Sequence, residues 1–171
     1  MNGGPEFVDA TVFLGMNATG EDDRRACASF FAERVDGRVA MSLDQIGRCD
    51  DVVWSFPRAE QDDYYPFMDV LQTDVRVDRL DWSEDELTAA REDPRPVGPA
   101  ARLLLAMVAA RGGTLVTLDP RLLGLAGAPV AAPPPRPERL AFPDRLEELY
   151  QRSLVLRVDL ARLWTPACAA V

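Results

Sequence analysis

The sequence AARLLLAMVAARGGTLVTLD, residues 100–119, decides the class of fold. Residues 100–110 are almost wholly apolar and are followed by a pair of glycines, which is the pattern of a buried helix that ends at glycine. Residues 114–118 form a continuous apolar run of the kind found in parallel strands that are covered on both faces. A buried helix that leads into a buried strand predicts an α/β fold.

The alternation of helix and strand extends upstream of this stretch. Ser42 with Gln45, and Ser83 with Glu86, have the spacing of a capping box at a helix start. Hydrophobic periodicity and turn signals predict strands at 6–8, 38–41 and 74–80, an apolar turn at 11–14, and helices near 20–35, 42–53, 59–71 and 83–91. The prediction is a three-layer α/β/α fold with a mostly parallel central sheet of four to five strands.

A proline-rich segment separates this α/β domain, residues 1–131, from the end of the chain. Residues 132–143 contain three consecutive prolines and are predicted to form an extended linker. The last segment, 144–171, is predicted to form one amphipathic helix after Asp144 as N-cap, with a leucine seam of Leu146, Leu149, Leu156, Leu160 and Leu163. We expect this C-terminal helix to dock on its own domain, on a partner protein or on a second copy of the chain.

The composition removes several catalytic mechanisms. The chain has 171 residues and neither histidine nor lysine, so all 19 basic residues are arginines. Ser-His-Asp and Cys-His catalysis, histidine metal sites, Schiff-base lysines and the P-loop lysine all need a side chain that is missing. The three cysteines are widely spaced and include no C-x-x-C pair, so they indicate neither a disulfide framework nor a zinc site.

The charge is negative and unevenly distributed. The net charge is −9, with 22 acids against 9 arginines in residues 1–93 and 6 acids against 10 arginines in residues 94–171. A negative protein repels polyanions, so binding of RNA would need a local arginine patch or a metal ion. Because no apolar run is long enough to cross a bilayer and no signal-type start is present, we expect no membrane association and a cytoplasmic location.

Two aspartates come directly after predicted strands. Asp9 follows the strand at 6–8, and Asp119 follows the strand at 114–118. Ligands of doubly wound sheets bind beyond the carboxyl ends of the strands, so the two carboxylates converge if the strands are neighbours. Such carboxylates suit Mg²⁺ or Mn²⁺, which align a water for attack on a phosphodiester. The other interpretation is that both aspartates cap adjacent turns, and that Arg121 forms a surface ion pair rather than a phosphate contact.

The order of these features resembles the PIN-like domain family. That family begins with a strand, an aspartate, a small residue and an apolar stretch, to which FVDATVFL at residues 7–14 is similar. It closes with a buried helix rich in small residues, a glycine, a strand and a Thr-x-Asp turn, to which residues 100–119 are similar. The strand and capped helix at 75–86 also fit, so the resemblance covers residues 6–131. Members of this family that act as ribonucleases, including toxins of toxin–antitoxin pairs, hold Mg²⁺ or Mn²⁺ with three or four acids. The resemblance therefore implies the same chemistry for this chain.

The resemblance also implies which residues form the site. Asp9 and Asp119 match the first and last acids of the catalytic, metal-binding set. The second acid falls at Asp50, with Asp51 as a further candidate, although the family usually has glutamate there. A third acid is expected at residue 101, which is alanine, and Asp93 in the proline-rich loop upstream is a further candidate for that role.

Two functions are consistent with this set of residues. The first is a degenerate PIN-like protein with weak or no nuclease activity, which acts as an accessory protein and binds a partner protein or a second copy through its C-terminal helix. The alternative is a ribonuclease of the toxin type, in which Asp9, Asp50 and Asp119 hold Mg²⁺ or Mn²⁺ and RNA is the substrate. The alanine at 101 and the negative charge favour the first, whereas the two strand-end acids favour the second.

Overall fold

Five short strands form a parallel sheet in the computed structural model, which describes residues 3–164. Their order is β3-β2-β1-β4-β5, and each neighbouring pair is parallel. The strand that begins the chain is therefore the central one, as in a doubly wound sheet. The strands are β1 (Glu6–Val8), β2 (Arg38–Ser42), β3 (Arg76–Leu80), β4 (Thr114–Val116) and β5 (Val130–Ala131).

Helices connect and follow the strands. They are α1 (Ala10–Gly15), α2 (Glu21–Ala32), α3 (Leu43–Trp54), α4 (Arg58–Asp74), α5 (Glu84–Glu92), α6 (Pro99–Ala110), α7 (Pro120–Leu123), α8 (Asp144–Ser153) and α9 (Ala161–Trp164). The predicted glycine stop of α6 is confirmed, because Gly112 has φ of 62° and lies in the left-handed region that glycine tolerates.

The central strand β1 packs into a separate apolar core on each face of the sheet. Phe7 belongs to a cluster with Leu105 of α6, whereas Val8 belongs to a second cluster with Phe31 of α2 and Phe67 of α4. Consecutive side chains of a strand point to opposite faces, so this division follows from the strand geometry. The two cores give three layers, and the predicted three-layer α/β/α fold is confirmed.

The two predicted capping boxes have different outcomes. At the start of α5, the Ser83 hydroxyl accepts a hydrogen bond from the Glu86 amide, and the Glu86 carboxylate accepts one from the Ser83 amide. This capping box is therefore confirmed. At the start of α3, Ser42 makes no side-chain capping bond, and its hydroxyl donates to Asp44 instead. The prediction for Ser42 was wrong because the side chain of Gln45, its expected partner, instead accepts a hydrogen bond from the Ala10 amide at the start of α1.

One local prediction near the end of a strand was also wrong, and the position of one short strand was missed. Residues 11–14, predicted as a turn, belong to α1, because Asp9 caps the amides of Thr11 and Val12 and so starts a helix. The strand β5 was not predicted at all. Its two residues pair in register with Leu115 and Val116 of β4, directly before the linker that was predicted at residues 132–143.

The C-terminal part is not the single helix that the leucine seam predicted. Helix α8 ends at Ser153, and the chain then pairs with the segment after α1 through the bridge between Ala18 and Val158 before α9 begins. The side-chain amide of Asn17 donates to the carbonyls of Ser153 and Leu156, which are thereby kept out of a continuous helix. Residues 165–171 of the predicted helix lie outside the described residues.

Helix α8 packs against α4 of the same chain. The ring of Tyr150 lies 5.2 Å from that of Phe67 and 5.3 Å from that of Phe142, and all three side chains are buried. Leu146 is buried beside them, so the apolar face of α8 is used within the chain. A partner protein or homodimer that docks through the C-terminal helix stays a prediction.

Within residues 3–164, no helix has the length and apolar character that are needed to cross a membrane.

Candidate functional site

The two strand-end aspartates lie at neighbouring strands. Strands β1 and β4 are paired in register, with Val8 opposite Val116. Asp9 and Thr117 therefore leave the sheet side by side, and Asp119 follows two residues later. Because parallel strands end at the same edge of the sheet, this pairing brings both carboxylates to one region, as the sequence predicted.

Asp9 is buried, and both of its carboxylate oxygens accept hydrogen bonds. Oδ1 accepts from the Thr11 amide at 2.9 Å, the Thr11 hydroxyl at 2.6 Å and the Val12 amide at 3.3 Å. Oδ2 accepts from the Thr117 hydroxyl at 2.5 Å. Asp9 thus caps α1 and ties the end of β1 to the end of β4.

The protonation of Asp9 is set by two opposing effects. Burial raises the pKa of this carboxyl above its ordinary value, and the hydrogen bonds from Thr11, Thr117 and Val12 reduce that rise without cancelling it. No arginine forms an ion pair with Asp9 within residues 3–164. The site therefore holds a carboxylate whose negative charge is costly to bury and is stabilised by hydroxyl and amide dipoles alone.

Asp119 is paired with an arginine of its own turn. It is the N-cap of α7, and its Oδ1 accepts from the amide of Arg121 at 2.9 Å and from the Nε of Arg121 at 3.0 Å. Its Oδ2 accepts from the Nη2 of Arg121 at 2.7 Å. Burial acts to raise the pKa of Asp119, but these bonds from Arg121 bring the pKa below its ordinary value. The sequence left open whether Arg121 contacts a phosphate or forms an ion pair, and the structure shows the ion pair.

A cleft of about 520 Å³ lies beyond these strand ends, and we call it the strand-end cleft. Three aspartates and two arginines line it. The rest of the lining is an apolar wall, which is formed by the loop before α6 and by helices α6, α7 and α9. The lining comprises Asp9, Asp44, Asp119, Arg48, Arg121, Gln45, Pro96, Val97, Gly98, Pro99, Ala100, Ala101, Leu104, Leu122, Leu163 and Trp164.

Gln45 and Asp44 are site residues that the sequence analysis missed. The amide nitrogen of Ala10 donates to Oε1 of Gln45 at 3.0 Å, and the Nε2 of Gln45 donates to Oδ2 of Asp44 at 3.1 Å. The start of α3 is thereby joined to the start of α1. The signal was present, because Asp44 and Gln45 follow the end of β2 as Asp9 follows β1, but the capping-box spacing with Ser42 suggested a local role for Gln45.

The structure does not bring the other predicted acids into the strand-end cleft. Asp50 lines a small cavity between α3 and α4, where the Tyr65 hydroxyl is 3.4 Å from its Oδ1. Asp51 lies in a different cavity, which is lined by α3 and by residues between 157 and 163. Asp93 follows α5 and forms an ion pair with Arg95, whose bonds lower the pKa of Asp93. Ala101 does line the cleft, so the position where a third acid was expected faces the site without a carboxylate.

The residues that are present do not fit a divalent metal ion. Mg²⁺ and Mn²⁺ take carboxylate oxygens that are free to bind them. Both oxygens of Asp9 and of Asp119 already accept bonds from the chain, and in residues 3–164 no three acidic or cysteine side chains converge in a way that could hold an ion. This donor set is a poor fit for Mg²⁺ or Mn²⁺, and the ion expected from the sequence stays a prediction.

Comparisons with known proteins identify a family and a fold. The model of a family of unknown function, DUF6190, matches residues 1–163, and the chain belongs to that family. No curated protein matches. Among solved structures, the chain is similar to the crystal structure of PAE2754 from Pyrobaculum aerophilum, with a TM-score of 0.52 and 16% sequence identity over 90% of this chain and 92% of that one. At this identity the likeness concerns the fold alone.

Proposed function

We propose that this member of the DUF6190 family is a PIN-like protein that has lost metal-dependent catalysis and serves as a binding or accessory protein. Because the family has no known function, the proposal is supported by the site of the protein itself. The observation that carries it is the ion pair between Asp119 and Arg121, in which the guanidinium group occupies both carboxylate oxygens. A bidentate arginine satisfies a carboxylate both in charge and in geometry, and so competes with a metal ion for it.

The rest of the strand-end cleft supports the same proposal. Asp9 serves as a structural cap between α1, β1 and β4, and Ala101 provides a methyl group where a third carboxylate would be required. The third aspartate of the cleft, Asp44, also accepts hydrogen bonds from the chain on both oxygens, so the site offers little free negative charge to a hard cation. The cleft nevertheless retains a volume of about 520 Å³ with an apolar wall and Arg48, which forms no ion pair within residues 3–164, and these features are suitable for binding a ligand group.

Calorimetric titration with Mn²⁺ tests the proposal directly. We expect no Mn²⁺-dependent heat from the wild type at millimolar concentrations. We expect the double variant Ala101→Glu/Arg121→Ala to gain Mn²⁺ binding, because it adds a carboxylate to the cleft and releases the one of Asp119. The matched control is Ala101→Gln/Arg121→Ala, which has nearly the same shape without the added charge and should bind Mn²⁺ more weakly than the glutamate variant.

The alternative function has a distinct outcome in the same experiment. Should the wild type bind Mn²⁺ and cleave single-stranded RNA, with both properties lost in Asp9→Asn/Asp119→Asn, the protein is a metal-dependent ribonuclease and our proposal is wrong.

A further inference from the structure

A second pocket lies on the surface between α5 and α6. Its volume is about 370 Å³, which falls within the range of small-molecule sites. Two arginines line it together with four apolar residues, and no acidic side chain of residues 3–164 belongs to the lining. The pocket is therefore positive in a protein whose net charge is −9. We call it the α5–α6 groove, and its lining comprises Leu87, Ala90, Arg91, Pro99, Arg102 and Leu103.

The packing of the two helices brings the arginines to one groove. On α5, Leu87 and Arg91 are four residues apart and so share one face of the helix. On α6, Arg102 and Leu103 lie three and four residues after Pro99, which places them on one face as well. Because α5 and α6 pack against each other, these two faces meet in the same pocket.

The guanidinium group of Arg102 is only partly satisfied by the chain. Its Nη1 donates to the Asp93 carbonyl at 3.2 Å, and its Nε is buried without a hydrogen-bond partner within residues 3–164. The Asp93 carboxylate is near enough to be affected by the charge of Arg102, but both of its oxygens accept from Arg95. Arg102 thus forms no ion pair in the described part of the chain, and its Nη2 is free to donate.

Arg91 is the second positive group of the groove. It lies in the last turn of α5, is exposed, and forms neither a hydrogen bond nor an ion pair among the residues that the structure describes. The adjacent Glu92 is exposed and does not line the groove, since neighbouring residues of a helix point in different directions. All N–H groups of the Arg91 side chain are therefore available to a ligand.

We propose that the α5–α6 groove binds a small amphipathic anion. The single carboxylate or phosphoryl group of this ligand contacts Arg91 and Arg102, and its apolar body covers Leu87 and Leu103. Planar guanidinium groups present paired N–H donors that match the oxygens of both kinds of group. Cover of the apolar side chains by an apolar body removes their surface from water, which is favourable. The site does not depend on the proposed loss of metal binding, because neither arginine lines the strand-end cleft.

Calorimetric titration of the full chain with octanoate tests this proposal, because octanoate joins one carboxylate to an apolar chain. At neutral pH and low ionic strength we expect saturable binding to the wild type and about tenfold weaker binding to Arg91→Gln, which loses a charged donor group. Arg91→Gln removes no side-chain hydrogen bond within residues 3–164, so its thermal melt should match that of the wild type. The control is Arg145→Gln on α8, an equal change of charge at an exposed residue outside the groove, which should bind octanoate as the wild type does.

Related ligands separate the two parts of the site. Octanol has the same apolar chain without the charge, and acetate has the charge without the long chain, so both should bind more weakly than octanoate. Octyl phosphate distinguishes a carboxylate site from a phosphoryl site by which of the two anions binds more tightly.

The strand-end cleft is a neighbouring site that could take the same ligand, because Pro99 lines both pockets. Arg48 lines the cleft and not the groove, so Arg48→Gln should leave the octanoate affinity unchanged. The proposal is wrong if neither octanoate nor octyl phosphate binds saturably, if Arg91→Gln binds as tightly as the wild type, or if octanol binds as tightly as octanoate. A loss of affinity in Arg48→Gln alone would locate the ligand in the cleft and would also overturn it. None of these outcomes alters the Mn²⁺ titration, so this proposal and the proposed function can fail separately.

Discussion

The ends of β1 and β4, where Asp9 and Asp119 lie, stabilise a buried carboxylate in different ways. In the cleft, the carboxylates of Asp9 and Asp119 are saturated by donors from their own surroundings. Asp9 at the end of β1 is held by hydroxyl and amide groups, whereas Asp119 at the end of β4 is paired with the guanidinium group of Arg121. A buried carboxylate without a counter-charge favours its protonated form, whereas one that is paired with an arginine favours its ionised form. Burial thus raises the pKa of Asp9, while the bonds from Arg121 lower the pKa of Asp119.

The largest effect is expected from removal of the Asp9 carboxylate. Asp9→Ala leaves the hydroxyls of Thr11 and Thr117 and the amide of Val12 without their acceptor in a buried environment. We expect a loss of about 3 kcal/mol in the free energy of unfolding, measured by urea denaturation. The control is Asp69→Ala on the exposed side of α4, which should change stability by less than about 0.5 kcal/mol. Equal effects of the two substitutions would contradict the structural role of Asp9.

A smaller effect is expected for pH. The contributions of Asp9 and Asp119 to the free energy of unfolding should change with pH in opposite directions. The pKa of Asp9 is raised in the folded chain, so its contribution to stability is present below the ordinary pKa near ~4 and is lost as pH rises through the folded value. The pKa of Asp119 is lowered, so its contribution is present above ~4 and is lost as pH falls through the folded value.

Urea denaturation across the acidic and neutral range separates these two contributions. The stability difference between wild type and Asp9→Asn should shift against the wild type as pH rises above ~4. The difference between wild type and Asp119→Asn should shift against the wild type as pH falls below ~4. If both differences change in the same direction with pH, the contrast between the two carboxylates is wrong.

The smallest effect is expected at Arg157, whose side chain is exposed. Because Arg157 has no ion pair within residues 3–164, Arg157→Gln should leave the free energy of unfolding unchanged or raise it by up to about 0.5 kcal/mol. Arg111→Gln is the informative comparison, because Arg111 forms an ion pair with buried Glu86 and lowers its pKa. That variant should be destabilised. A loss of stability in Arg157→Gln as large as that in Arg111→Gln would show that Arg157 is already satisfied within the chain.

The sequence predicted the part of this molecule that depends on local patterns. Apolar runs located β1 and β4, and the shared edge of parallel strands then placed Asp9 and Asp119 together. The capping box at Ser83 was predictable because its two partners are three residues apart. Each of these features depends on residues that are close in sequence or on a general rule for sheets.

The features that the sequence did not predict depend on distant partners. The end of α8 is fixed by Asn17, which is 136 residues away from Ser153, and no helical periodicity contains that information. The side chain of Gln45 in α3 accepts a hydrogen bond from the Ala10 amide in α1, so its spacing from Ser42 was misleading. Strand β5 is too short to have a pattern and exists because β4 offers it an unpaired edge.

The central position of β1 has a consequence for how the chain folds during synthesis. The strand pairs with β2 on one side, but its other neighbour, β4, is far along the chain, and the bond from Thr117 to Asp9 spans 108 residues. While the ribosome has made only the first three strands, that edge of β1 has no strand to pair with and the Asp9 carboxylate lacks its Thr117 donor. We expect the first half to remain loosely folded and open to proteases or chaperones until β4 emerges and closes the centre of the sheet.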